Sequence, residues 1–442
     1  MKGRALAVWL LLFAAYASTL GLDARSGSDY GNAERHYLAA IESFAEDGDG
    51  NVADELAERG IPRTGIVQPD GRVFEPYGIG FAALMAPAYA LGGETAVELL
   101  LAAIAALAGA LAYALARRFA PDPWALGAAL ACGLSPPMLA YGTAVVPDPM
   151  AAALLTGAAL AALKVRDMPR RRYGVLCFAL LGLLPWLGPK FIPAALVLGG
   201  FAVVWLRRGR RPLLALVSVE IALFSVAFYV GLNEALYGGA TPWAAASQGG
   251  PATGADTVME YLERVYRPVA LMVDREYGLL RWAPVFALAG VGVFLLWRGH
   301  RHKLTAILTE HGTAEAIAAL CAAVFAAQLF VATFLVPTAF GGWFPARELI
   351  AVLPVLVPLV TWGLRRIPRT GLALIAITLV GSVWLWLDVR FGDGGLVAGR
   401  PDAPWGPLVK LFPVYGESAY PYVLSAVLAL AVAALAYRLR DA

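Results

Sequence analysis

Apolar positions in this chain neither alternate nor keep to one helical stripe; they run on for the length of a bilayer crossing, stop at charges or turns, and resume. Mostly apolar windows fall at 5–22, 95–116, 124–140, 149–163, 173–188, 191–206, 213–236, 280–297, 315–337, 348–364, 371–388 and 420–437. A helix crosses the hydrocarbon core with about 20 apolar residues, so the pattern predicts an all-α polytopic membrane protein of about 12 transmembrane helices, a few of them short. The polar breaks test that count. Arg117–Arg118, the basic run at 164–172, and the knots at 207–211, 298–303, 365–369 and 438–440 fall on alternate connections, on the same side as Lys2 and Arg4. Basic connections are retained in the cytoplasm. Both termini are therefore expected inside the cell membrane's cytoplasmic face, with Gly48 and Gly394 outside and Arg170 and Arg301 inside. The first window also resembles a secretory signal, with Ala15-Tyr16-Ala17 at cleavage spacing. Retention as a span is the reading taken, and the later spans keep their orientation either way.

The opposite connections are 23–94, 237–279 and 389–419, with short links at 141–148, 189–190 and 338–347. They carry acids, aromatics, Gly and Pro but few basic runs, as extracytoplasmic loops do. Residues 75–93, EPYGIGFAALMAPAYALGG, predict a short amphipathic or re-entrant helix leading into the second span. No internal repeat stands out, so 1–442 reads as a single transmembrane domain.

Composition agrees. Hydrophobic residues make up 60% of the 442 and charged ones 15%, where a soluble chain carries about 25%; lipid has to cover the excess. Cys132, Cys177 and Cys321 all lie in apolar stretches and read as core residues. The four histidines never meet acids or cysteines at ligand spacing, so neither a metal nor another cofactor is indicated. A net charge of +3 gives no reason to expect a nucleic-acid partner. Gly78-Ile79-Gly80 follows no strand, and no phosphate-binding glycine loop lies on the inner side.

Charge near the outer ends of the spans is less easily dismissed. The first loop opens with SGSDYGNAERHYLAA, which puts Asp29, Glu34, Arg35, His36 and Tyr37 just past the first span. If 32–44 is a helix, Tyr37, Ile41 and Phe44 share a face with Glu34 one turn ahead, lying along the membrane surface. A carboxylate held there is partly desolvated, which suits a general base. The acids from Glu42 onward read as a solvated loop. Further along, Glu75-Pro76-Tyr77, Asp148, Lys190, Arg281 and Arg347 stand near outer span ends. Snorkelling to the interface accounts for a lone Lys or Arg; it accounts less well for Asp148 between two prolines. Charges of both signs at one membrane face suggest a site for a polar molecule with an anionic part.

The order of these features resembles the GT-C superfamily of membrane glycosyltransferases, in particular the branch of protein O-mannosyltransferases and the lipid A aminoarabinose transferase. The likeness rests on the acidic first loop with its following Tyr37, Glu75-Pro76 ahead of a helix ending in Gly92-Gly93, SPPMLAYGTAVVPDPMAAALL at 135–155, and GGWFPARELIAVLPVLVPL at 341–359. It is densest over 23–165 and 341–360. That family implies an inverting transfer, on the extracytoplasmic face, from a polyprenyl-phosphate sugar donor to a hydroxyl on an acceptor glycan, lipid or protein. Its catalytic Asp commonly precedes a Glu shortly before a Tyr; here that pair reads Ala33-Glu34, and Asp29 stands four residues earlier than Ala33. Glu34 keeps the family's position beside the missing Asp, while Asp29 has the expected residue type; Asp29 is taken as base and Glu34 as an orienting group, with the reverse assignment open. Lys190 and Arg347 are expected on the donor phosphate, assisted by Arg35 or His36, while Tyr37, Glu75, Tyr77 and Asp148 shape the sugar or acceptor pocket. The competing readings are a transporter or lipid flippase, for which Glu220 in the seventh window is the main mid-membrane charge, and a non-catalytic scaffold, favoured by Ala33.

Overall fold

The structure, a computed structural model, describes the chain apart from residues 1, 63–65, 68–70, 210, 243–252, 301–308, 339–340, 398–403, 416–418, 424, 428–429 and 431–442. It is an all-α polytopic membrane protein. Seven helices are long and apolar enough to cross a bilayer: Ile79–Ala116, Asp148–Asp167, Pro189–Arg208, Pro212–Tyr237, Ala314–Leu335, Arg347–Arg366 and Pro368–Phe391. Gly3–Ala17, Trp124–Gly133 and Pro284–Leu296 are shorter apolar helices, and the fifth predicted window forms Arg171–Leu187. Most of the last window, 420–437, and the inner position Arg301 fall outside the described residues.

Local chemistry explains where the helices depart from the windows. The predicted re-entrant segment and second span are one continuous path, Ile79–Ala116, bent at Gly92 and Gly93. Gly93 adopts φ +64° with ψ −152°, a backbone conformation that side chains forbid. The third window breaks after Trp124–Gly133 and restarts as Pro136–Ala140, since proline cannot donate to the preceding turn but suits a helix start. In the first outer loop, Ile66–Val67 pairs antiparallel with Val73–Phe74.

The helices divide into a buried centre and a lipid-facing rim. Arg347–Arg366 has 89% of its apolar window buried, whereas Pro212–Tyr237 has 17% and Pro368–Phe391 has 28%. The central helix is held close by glycine. A Cβ on Gly363 would collide with the backbone oxygen of Leu288, and one on Gly292 with that of Leu359, so helices Leu353–Arg366 and Ala287–His300 touch backbone to backbone. Gly363→Leu is accordingly expected to lower the thermal midpoint of the solubilised protein by several degrees, because overpacking costs about 1–3 kcal/mol. Gly200→Leu, whose new side chain meets open space, should leave it unchanged.

Three helices share one polarity that matters for the site. Asp148 opens the helix whose last turn carries Lys164 and Arg166. Lys190 precedes Ile192–Arg208, which ends in Arg207 and Arg208. Arg347 leads into Leu353–Arg366, which ends in Arg365 and Arg366. The candidate residues thus gather at the ends opposite the basic turns.

Candidate active site

The first loop folds back onto the bundle through the helix Asn32–Glu46, here α2. Glu34 sits in its first turn and closes a capping box, its Oε2 accepting from the Gly31 N–H at 2.8 Å. Its Oε1 accepts from the Val145 N–H at 2.9 Å, so one buried carboxylate joins α2 to the link between the third and fourth windows. Burial pushes its pKa above the usual carboxylate range, against the pull of the two backbone donors and the charge of Arg347. Asp29, on the turn before α2, is exposed; its backbone oxygen accepts from Ala24 N–H.

The apolar face of α2 is covered by protein. The Tyr37 ring lies 5.0 Å from that of Tyr77 and 5.2 Å, edge-on, from Phe81, and Ile41 is buried while Phe44 is half-buried. The collision a Cβ on Gly80 would make with the Trp186 backbone brings the start of Ile79–Ala116 against the end of Arg171–Leu187, which seats Tyr77 and Phe81 under α2. His36 turns from solvent and places Nδ1 3.0 Å from Glu75 Oε1, both side chains being buried. Arg35 points elsewhere, donating to the Arg59 backbone oxygen at 2.8 Å. Arg281 donates to the Arg275 backbone oxygen and lies over the Trp282 ring.

At the ends of the three aligned helices stands a four-charge cluster. Lys190 Nζ lies 2.8 Å from Asp148 Oδ1 and 3.2 Å from Glu348 Oε2. Glu348 is fixed in turn by its backbone, whose oxygen accepts from Gln328 Nε2 at 3.0 Å. Arg347 lies over the Trp343 ring at 4.8 Å. Its Nε is buried without a hydrogen-bond partner, and no carboxylate of the described residues lies within ion-pairing distance of it. Ala346, immediately before it, is buried and has φ +67°, a left-handed conformation that costs a non-glycine residue about 1 kcal/mol or more. Tyr141 closes the cluster, donating from its hydroxyl to the Phe344 backbone oxygen at 2.8 Å. The charge of Arg347 is felt by Glu34, Tyr37, Tyr77 and Tyr141, so these groups share one neighbourhood.

Of the residues singled out from sequence, Glu34, Tyr37, Tyr77, Asp148, Lys190 and Arg347 therefore come together, with His36 and Glu75 as a buried pair against the Tyr77 ring at 5.9 Å. Asp29 lies at the exposed margin, and Arg35 faces the loop. Glu348 and Tyr141 were not singled out. Glu348 has a signal, as a charge opening an otherwise apolar window beside Arg347; Tyr141 has none beyond its place in the 135–155 stretch. The mid-membrane candidate Glu220 is exposed on Pro212–Tyr237, the helix most open to lipid.

This helical bundle, with a charged site on the end that its first loop covers, shares its fold with a membrane protein of known structure, ArnT. The crystal structure of ArnT from Cupriavidus metallidurans in the apo state matches 100% of this chain and 73% of its own length, at 18% identity and a TM-score of 0.56. The same protein bound to undecaprenyl phosphate matches over the same shares, at 17% identity and a TM-score of 0.55. No family model and no curated protein sequence matches the chain.

Proposed function

We propose that the chain is a glycosyltransferase that moves a sugar from a polyprenyl-phosphate donor to an acceptor hydroxyl on the extracytoplasmic face, with inversion. The observation that carries this reading is Arg347, a cation with an unpartnered buried Nε beside the Lys190–Asp148–Glu348 cluster. Asp148 and Glu348 pair with Lys190 and not with Arg347, which leaves the Nε donor of the guanidinium for a phosphate oxygen. Guanidinium donors fork onto phosphate oxygens. The ArnT fold, seen with undecaprenyl phosphate bound in that protein, supports a lipid-borne phosphate as the ligand.

In this reading the acceptor oxygen attacks the anomeric carbon from the face opposite the phosphate. Its proton passes to a first-loop carboxylate, the glycosidic C–O bond breaks, and the bonding pair leaves with the polyprenyl phosphate. Arg347 and Lys190 stabilise the charge that develops there. We assign the base to Asp29 because both oxygens of Glu34 already accept backbone donors; Asp29 stands exposed at the margin of the site, not desolvated as its place in the sequence suggested. Glu34 holds the first loop onto the site. Tyr37, Tyr77 and the His36–Glu75 pair wall the pocket for sugar or acceptor.

The reading sets an orientation. Gly48→Cys should react with an impermeant thiol reagent in intact cells and Arg170→Cys should not, because basic connections stay inside. Equal labelling would remove the extracytoplasmic site. The transferase itself is tested with a panel of radiolabelled undecaprenyl-phosphate monosaccharides added to membranes that contain or lack the chain. Chain-dependent release of undecaprenyl phosphate, with label moving to the envelope fraction, supports a transferase. Movement of intact donor across liposomes makes it a transporter, and neither outcome leaves a scaffold.

A further inference from the structure

We propose that the loop joining α2 to the short helix Ala53–Glu58, here α3, is a binding site for a hard divalent cation of the calcium class, held by Asp47, Asp54 and Glu55. One carboxylate oxygen from each of these lies within 4.8 Å of the others. Oxygen ligands stand about 2.3–2.6 Å from calcium, so ligands on opposite sides of one ion are about 5 Å apart, and the trio fits around a single ion.

An acidic cluster at a surface is ordinarily just solvated; Glu55 separates this one from that case. It is 6% exposed, and its Oε2 is buried with no hydrogen-bond partner. Burying a carboxylate oxygen that has no donor is costly, and Asp47 and Asp54 bring two more carboxylates to the same place. Among the described residues no Lys, Arg or His forms an ion pair with any of the three; the nearby Arg59 is taken by Glu42 and Glu94 at 2.7 and 2.8 Å. A cation supplies the missing partner. All donors are carboxylate oxygens, with no His or Cys, which selects a hard ion; calcium tolerates the irregular, many-oxygen geometry that magnesium resists.

The local sequence has a partial likeness to known calcium loops, sharing Asp47 with the trio. Residues 47–58, DGDGNVADELAE, follow the spacing D-x-[DN]-x-[DN]-G-x5-E of helix–loop–helix calcium sites at Asp47, Asp49, Asn51 and Glu58, and depart from it at Val52. The side chains that gather in the structure are a different set. Asp49 Oδ1 accepts from the Asn51 N–H at 2.8 Å and Asn51 Oδ1 from the Val73 N–H at 2.8 Å, so those side chains hold the loop, and Asp54 and Glu55 turn to meet Asp47. Gly48 allows the tight exit from α2 with φ +74°. A bound ion would tie the far end of α2, whose first turns carry Glu34, His36 and Tyr37, to α3 and the Arg59 network. The site stands independently of the transferase reading.

The test is equilibrium dialysis of the purified full-length chain, stripped of metal in detergent, against radioactive calcium chloride alone. One calcium per chain is expected, with a Kd on the order of 0.1–1 mM, as for extracellular calcium modules, and a higher thermal midpoint in its presence. Glu55→Gln and the exposed Asp54→Asn should each weaken binding about tenfold or more, while Glu58→Gln leaves it unchanged. Absence of saturable binding up to about 10 mM calcium, or wild-type binding in both Glu55→Gln and Asp54→Asn, would overturn the site. Equal displacement by magnesium would overturn the calcium assignment, and loss of binding in Glu58→Gln would overturn the trio as ligands.

Discussion

Arg347→Ala is expected to cut donor turnover about a hundredfold to a thousandfold, the usual cost of removing one preorganised donor from a site of developing charge. The expectation follows from how the side chain is held. Trp343 supports its face at 4.8 Å, Ala346 before it has φ +67°, and its Nε has no hydrogen-bond partner. Its charge sits near Asp148 and Glu348, but its Nε donor is left for a ligand. Arg347→Lys keeps the charge but loses the fork, and should fall between alanine and wild type, with the donor KM raised and kcat reduced. Lys190→Ala behaves differently. It leaves Asp148 and Glu348 facing one another across a partly buried gap, and stranding buried charge costs about 3–5 kcal/mol, so stability should fall along with turnover. Steady-state kinetics and thermal midpoints of the same preparations check both. Wild-type turnover in Arg347→Lys and Lys190→Ala alike would reduce the pair to interface anchors.

Asp29→Asn is expected to lower transfer about a hundredfold to ten-thousandfold, the range for loss of a positioned acid–base group, with donor binding and thermal midpoint retained. The side chain is exposed, so the fold does not depend on it. Glu34→Gln should show the opposite division. A glutamine can accept one of the two backbone N–H bonds now made to Gly31 and Val145, and its amide group must face the other donor. Leaving a buried donor unsatisfied costs about 1–3 kcal/mol, so the midpoint drops and transfer falls less than in Asp29→Asn. If Glu34→Gln instead abolishes transfer at an unchanged midpoint while Asp29→Asn is active, the base is Glu34. Full activity in both variants would leave α2 an ordinary covering helix and the transfer mechanism without its base.

The membrane helices were legible because a bilayer imposes length and hydropathy on each segment separately. Ile79–Ala116 shows the limit: its halves were visible as a helix and a span, and Gly92-Gly93 as their divider, but the pattern could not say that one path bends there. Lys190 and Arg347 stood out as cations at the outer ends of apolar windows. Their partners did not, because pairing across 42 residues from Lys190 to Asp148 and 158 from Lys190 to Glu348 is decided by helix packing, which leaves no trace in local composition. The same holds for Glu34, whose second bond reaches Val145, 111 residues away. His36 looked like a phosphate ligand from its neighbours in sequence; in space its Nδ1 is 3.0 Å from Glu75. Asp47, Asp54 and Glu55 read as solvated loop acids, since a carboxylate's burial at the start of a six-residue helix depends on what folds over it.

The claim on which the rest depends is that Arg347, next to Lys190, receives the phosphate of a polyprenyl lipid. Native mass spectrometry of the purified chain with undecaprenyl phosphate alone tests it without knowledge of sugar or acceptor. The prediction is one lipid bound per chain, displaced by excess undecaprenyl phosphate but not by undecaprenol, with affinity reduced at least tenfold in Arg347→Ala. Equal retention of undecaprenol and undecaprenyl phosphate, or unaltered phosphate-lipid binding in Arg347→Ala, would contradict it.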